Sequence, residues 1–282
     1  ALTDVTINSG GDASDVFTVT GSSAANTIDV TPTSATSVQA TAGVGPVVTV
    51  NLAADTTSTF TVNGGAGDDV VVVHGTSTDD TILVNRTAQQ VAVTDSTANT
   101  YKRIDLTETA PDALTVAGGL GDDTITVTGT GGPALTIDGQ APSASDTLVM
   151  LSTAMGAAFN LTPGTTNDSG SVNMDGSVTQ FIGIEAVTLD AGSGANADSV
   201  TIAGTSGDDA ITVRAISASS ASVAVNSRGL VTIQNVTDAS RLTVNAGDGS
   251  DTLRAAVSGA NNFDFTLNAG GPAGTDQLIV EG

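Results

Sequence analysis

Leu114-Thr115-Val116-Ala117-Gly118-Gly119-Leu120-Gly121-Asp122-Asp123-Thr124-Ile125-Thr126-Val127 decides the fold. Two runs of alternating apolar and polar residues flank a glycine turn that ends in Asp. Alternation at a period of two is the pattern of a half-buried strand. The β-branched side chains are stiff in helices and pack well on a pleated surface. The stretch therefore reads as strand, tight turn, strand.

The phrase recurs along the chain. An apolar residue, Thr, a β-branched residue or Leu, and usually Asn or Asp precede a Gly/Ala/Ser-rich turn that closes on Asp. Seven copies start at Val5, Phe60, Leu114, Leu135, Val187, Leu242 and Phe265. They close on Asp15, Asp69, Asp123, Asp146, Asp198, Asp251 and Asp276. A second phrase, Gly followed by Ser or Thr, closes on Asn26, Asp80 and Asp209, each 11 residues after an acid of the first. Asp15, Asp69 and Asp123 stand 54 residues apart, and a longer period of about 130 residues relates Asp15 to Asp146 and Asp146 to Asp276. The repeats define a first module over residues 1–134, a second over 135–264 and the start of a third over 265–282. Because Thr266 to Val280 replays Thr136 to Val149, the chain reads as a window on a longer repetitive protein.

Strand-like runs arrive roughly every 11 residues, and the anchor gaps of 11, 23 and 43 are near-multiples of that step. Each coil of a solenoid must close at nearly constant length. The spacing predicts an all-β, parallel β-solenoid, β-helix- or β-roll-like, built of ~11-residue strand–turn steps. With two strands per coil, the turns at Asp123 and Asp146 are stacked neighbours, as are those at Asp251 and Asp276. Aromatic residues are only 2% of the chain and Trp is absent, which favours aliphatic ladders over the Trp or Tyr anchors of immunoglobulin-type sandwiches. One segment points the other way. Val223 to Ile233 reads as a tight antiparallel hairpin, and tandem Ig-like β-sandwich domains remain the alternative.

Thirty Asp and Glu against seven Lys and Arg give a net charge of −23. A polyanion of that size repels nucleic acid and anionic lipid, and it attracts divalent cations. With no Cys, the chain has no disulfide framework and no Cys-ligated metal. No apolar run approaches the ~20 residues of a membrane-spanning helix. The chain opens on Ala1 without a signal-peptide pattern, which suits a processed or excised segment.

The turns carry the chemistry. Gly64-Gly65-Ala66-Gly67-Asp68-Asp69-Val70-Val71-Val72 fits the nonapeptide G-G-x-G-x-D-x-U-x, where U is a large apolar residue, at every fixed position. Gly118 to Thr126 fits it as well. Ala246-Gly247-Asp248-Gly249-Ser250-Asp251 lacks only the first Gly, and Gly204 to Thr212 lacks only the second. On these residues the chain resembles the hemolysin-type (RTX-like) calcium-binding repeat proteins found in very large bacterial surface proteins. The resemblance implies secretion to the cell surface, calcium-dependent folding and adhesive or surface-coat roles. It implies Ca²⁺ as the cofactor, held by Gly65, Gly67, Asp69, Gly119, Gly121, Asp123, Asp146, Asp198, Asp209, Gly247, Gly249, Asp251 and Asp276. The chain departs from the family in one respect. Its matches are isolated, whereas the family's β-roll uses uninterrupted repeats whose turns share ions. One turn has too few oxygens for calcium, so only stacked neighbours complete a site. Gly-Asp turns are also good turns without any metal.

Catalysis has little to stand on. His74 is the only histidine, and without Cys no Ser-His or Cys-His relay can be built elsewhere. The pairs Asp68-Asp69, Asp79-Asp80, Asp122-Asp123 and Asp208-Asp209 are adjacent in sequence, so their side chains point to opposite faces and do not converge on one atom. The expectation is a non-catalytic extracellular structural protein of the bacterial surface, a self-associating layer, sheath or filament. A rod-like spacer of a giant adhesin, with surface glycans as partners, is the alternative. A β-helical polysaccharide lyase or epimerase ranks third.

Overall fold

The computed structural model describes residues 4–10, 14–52, 58–106, 112–140, 145–194, 196–236, 240–257, 263–271 and 274–281. Every regular element among them is a strand. The chain is an all-β solenoid rich in parallel pairing, and it divides into two compact units: Ala1–Val127 with Gly131–Asp146, and Thr128–Thr130 with Thr147–Gly282.

In the first unit the chain shuttles between two sheets. It runs from β1 (Asp4–Asn8) across to β2 (Val16–Thr20), then back into an antiparallel meander of β3 (Thr27–Pro32), β4 (Ser37–Ala42) and β5 (Val47–Asn51). Single strands β6 (Thr59–Asn63) and β7 (Val70–His74) follow, one in each sheet. A second meander, β8 (Asp80–Asn85), β9 (Gln90–Asp95) and β10 (Ile104–Leu106), lies in the other sheet. The unit ends with β11 (Ala113–Ala117), β12 (Thr124–Thr128) and β13 (Ala134–Asp138). One sheet has the order β1-β5-β4-β3-β7-β11-β13 and the other β2-β6-β10-β9-β8-β12.

The second unit repeats the plan. After β14 (Thr147–Leu151) comes the meander β15 (Ala158–Pro163), β16 (Gly170–Met174) and β17 (Ser177–Ile182). Strands β18 (Ala186–Asp190) and β19 (Ser199–Ala203) lead to the meander β20 (Ala210–Ser217), β21 (Ser220–Val225) and β22 (Leu230–Gln234). Then follow β23 (Ser240–Asn245), β24 (Thr252–Ala256), β25 (Phe263–Asn268) and β26 (Gln277–Glu281). Its sheets have the orders β17-β16-β15-β19-β23-β25 and β14-β18-β22-β21-β20-β24-β26.

The expected hairpin at Val223–Ile233 is the β21–β22 antiparallel pair. It belongs to a meander spliced into a parallel stack, so both sequence signals were real and neither required a separate sandwich. The splice also explains the uneven spacing. A bare coil advances the corner acids 23 residues (Asp123 to Asp146), whereas a coil containing a meander separates Asn26 from Asp69 by 43.

Strand pairing stacks like on like. Ile28, Val71, Leu114 and Leu135 stand in one register column, and Val30, Val73, Val116 and Ile137 in the next; all eight are buried. The intervening positions, such as Thr115 and Thr136, face outward in register. Aliphatic columns of this kind need no aromatic anchor, in accord with the composition. Tight meander turns use local chemistry: Asp175 and Gly176, both at positive φ (51° and 89°), form the two-residue link between β16 and β17. Scarce cations fasten the meander ends. Arg86 donates from Nε to the Gly131 carbonyl at 2.8 Å and from Nη2 to that of Pro133 at 3.2 Å. In the second unit Arg228 donates to the carbonyls of Thr166 and Gly164, at 2.5 and 3.0 Å.

Candidate functional site: the carboxylate corners

Where the chain turns from one sheet to the other, the ladder of strand hydrogen bonds is interrupted. A corner N–H pointing along the stack needs an acceptor, because a buried unpaired amide is costly. The corner acids meet that need. Asn26 N–H donates to Asp69 Oδ1 at 2.8 Å, and Asp69 N–H donates to Asp112 Oδ2 at 2.9 Å. On the other side Asp80 N–H donates to Asp123 Oδ1 at 2.7 Å and Asp123 N–H to Asp146 Oδ1 at 2.8 Å.

The second unit carries the same stitches. Ala157 N–H donates to Asp198 Oδ1 at 2.9 Å and Asp198 N–H to Ser240 Oγ at 3.0 Å. Asp209 N–H donates to Asp251 Oδ1 at 2.8 Å and Asp251 N–H to Asp276 Oδ1 at 3.0 Å. The structure thus stacks Asp123 on Asp146 and Asp251 on Asp276. It also brings in partners that the repeat phrases did not single out: Asp112, Ser240 and Ser58, whose Oγ accepts from Asp15 N–H at 3.1 Å. The 43-residue step from Asn26 through Asp69 to Asp112 was the signal for the first of these.

Corners of the second phrase also close on themselves. Thr76 donates its N–H and Oγ–H to the two oxygens of Asp80, at 2.5 and 2.9 Å, and Thr205 does the same to Asp209, at 2.7 and 2.9 Å. The adjacent acid pairs split as expected. Asp69, Asp80, Asp123 and Asp209 are buried, whereas Asp68, Asp79, Asp122 and Asp208 face solvent. The outer acids make a looser tier: Asp122 N–H donates to Asp79 Oδ1 at 3.0 Å, and Ser250 N–H to Asp208 Oδ1 at 2.8 Å.

The glycines of the nonapeptide serve this stacking. Gly119 has φ +115°, and a Cβ there would lie 2.2 Å from the Thr76 carbonyl oxygen of the preceding coil. Gly121 has φ +119°, with a Cβ position 2.5 Å from Asp79 N. Gly65 and Gly67 meet Ser22 and Ala24 in the same way, and Gly247 and Gly249 meet Thr205 and Gly207. Close approach of backbones demands glycine at these six positions whether or not a metal is bound.

Electrostatics is where the stack is stressed. Asp123 is 1% exposed and Asp251 0%, and the Oδ2 atom of each is buried without a hydrogen-bond partner. Burial pushes the Asp123 carboxyl up to about 7, reinforced by the nearby charges of Asp146, Asp80 and Asp79. Asp251 and Asp80 are raised too, again chiefly by burial. A buried carboxylate oxygen with no donor is relieved by a proton or by a cation. Calcium takes six to eight oxygens. Among the described residues no three acidic or histidine side chains are grouped so as to hold a metal ion by themselves. What the corners offer is the unpartnered Oδ2 of Asp123, which with the Gly139 carbonyl crowds Gly118, and that of Asp251, which with the Gly247 carbonyl crowds Gly270. Such a set needs water to complete a calcium shell. His74 lies apart, outward on β7, with Nε2 3.2 Å from Asp29 Oδ1.

No protein-family model matches the chain, and no curated protein matches it. Two predictions follow from the geometry itself. Gly119→Ala should cost more than about 1 kcal/mol in unfolding free energy, whereas Gly10→Ala, where a Cβ meets nothing within 4 Å, should be neutral. The pH dependence has a definite sign. Because folding raises the Asp123 pKa, its contribution to stability is full below about 3.8 and is lost as pH climbs through about 7. Thermal unfolding in chelator should therefore shift to lower temperature between pH 5 and pH 8, and Asp123→Asn should flatten that slope.

Proposed function

We propose that this chain is a non-catalytic structural repeat segment of an extracellular bacterial surface protein, and that it works as a self-associating scaffold. The observation that carries this reading is the fate of the acids: the corner carboxylates are committed to backbone amides along the stack rather than gathered around a cleft. Few cations stand ready for an anionic sugar. Arg86 and Arg228 hold carbonyls, Arg103 pairs with Asp105 at 2.8 Å, and Arg254 pairs with Glu281 at 2.5 Å. Lack of Cys, the high negative charge and the RTX-like turns support an extracellular setting.

Calcium belongs to this reading as the counter-ion of the corner stacks. The unpartnered Oδ2 atoms of Asp123 and Asp251 are the ones it would use, with adjacent-coil carbonyls and water. A ligand that binds only the folded state stabilises it by about 2.7 kcal/mol at a hundred-fold excess over Kd. Thermal unfolding should thus move up by several degrees from chelator to millimolar calcium, and the Asp123→Asn/Asp251→Asn double variant should lose that difference. Electron microscopy of the calcium form should show ordered fibres or lattices. An identical melt in both conditions, with dispersed particles throughout, contradicts the proposal.

A further inference from the structure

Beside the corner stitches, the second unit carries a groove of about 730 Å³. Small-ligand sites span roughly 300–1,000 Å³. The lining comes from the end of β15 and the turn after it, and from the corners that follow β19 and β23. These three strands are consecutive neighbours in one sheet. Neighbouring strands lie about 4.8 Å apart, so the groove runs about 10 Å along the stack.

Its walls are fixed in advance. Gly164 N–H donates to the Ser169 carbonyl at 2.8 Å, and Gly204 N–H to that of Asn245 at 2.6 Å. Thr205 is fastened to Asp209 by its N–H and its hydroxyl. Arg228 ties down the β15–β16 turn through the carbonyls of Gly164 and Thr166. A preformed site loses little ordering entropy on binding.

The lining chemistry selects the ligand. Thr162, Thr165 and Ser206 are exposed, and their hydroxyls meet no partner among the described residues. A hydroxyl both donates and accepts. Arg228 spends only part of its fork of N–H donors on the two carbonyls, and no carboxylate among the described residues pairs with it. The exposed Asp248 supplies a carboxylate acceptor. Arg228 and Asp248 are the one cation and the one anion among the described lining residues, so charge is balanced locally. An anionic ligand would meet the field of a chain of charge −23 with no basic patch to offset it. Hydroxyls at balanced charge suit a neutral ligand that is itself rich in hydroxyls.

We propose that this groove binds a short neutral oligosaccharide. Sugar hydroxyls donate to Asp248, accept from the spare N–H groups of Arg228, and exchange hydrogen bonds with Thr162, Thr165 and Ser206. The Pro163 ring, also in the lining, is the apolar contact for a sugar face. With one carboxylate in the lining, the groove holds a sugar without the acid pair that glycoside cleavage uses. It operates whether or not the chain self-associates.

The first unit supplies a natural comparison. Its corner Gly75-Thr76-Ser77 matches Gly204-Thr205-Ser206, but Leu120 stands in the place of Asp248. Leu120 is 48% exposed, so that corner accepts an apolar side chain and Asp248→Leu should fold.

The test titrates the 282-residue chain with cellotriose, maltotriose and chitotriose, and with trigalacturonate as the charged comparison, by calorimetry and saturation-transfer NMR. At least one neutral trisaccharide should bind with a millimolar Kd that added salt leaves unchanged, and trigalacturonate should bind more weakly. Asp248→Leu should leave the melt unchanged and weaken binding about ten-fold, and Thr165→Val should weaken it a few-fold. No binding by any neutral trisaccharide overturns the proposal, and so does binding that ignores both substitutions. Tighter binding of trigalacturonate than of every neutral sugar also overturns it.

Discussion

The structure depends on one interaction, the hydrogen bond from a corner N–H to the carboxylate of the next coil. A strand's amides find partners in the neighbouring strand, but at a corner the chain leaves the sheet plane and that pairing lapses. Asp has the short reach to stand in as acceptor across one inter-strand spacing. A hydrogen bond to a charged acceptor contributes about 1.5–3 kcal/mol net. Its cost is a buried like-charged column, visible in the raised pKa of Asp123. Neutral members dilute that column: Asn26, Ser58 and Ser240 occupy corner positions where they donate or accept without adding charge.

Around this stitch the rest of the design follows. The glycines at 119 and 121 exist because a stitched corner brings backbones of consecutive coils closer than a Cβ permits. Meanders are inserted alternately in one sheet and then the other, so in each unit the two sheets keep nearly equal numbers of strands. The corner stitch spans a meander without change: Asp80 reaches Asp123 over 43 residues with the same geometry as Asp123 reaches Asp146 over 23. Sequence separation is free to vary because the contact is set by the stack.

Much of this was legible in the residues. Alternation in runs such as Thr124 to Val127 specified strands, and the acid-to-acid gap of 23 specified the stacked pair Asp123–Asp146. The meanders were harder to read. A gap of 43 is close to four strand–turn steps and looks like two plain coils, yet the acids it separates, Asp69 and Asp112 or Asp80 and Asp123, are adjacent in space. Asp112 and Ser240 escaped notice because they lie outside the glycine phrases, where no turn motif marks them. The nonapeptide is ambiguous for a physical reason: the same glycines suit a calcium turn and a close backbone crossing, and sequence alone does not separate the two.

The most direct test of the corner stitch compares Asp251→Ala with Asp251→Asn by denaturant unfolding in chelator. Asn keeps the oxygen that accepts from Asp209 N–H and removes the buried charge, whereas Ala leaves that amide without an acceptor. The stitch predicts that Ala loses about 1.5–3 kcal/mol while Asn stays close to the parent protein. Equal losses in both variants would show that the charge, and not the amide bond, is what position 251 supplies.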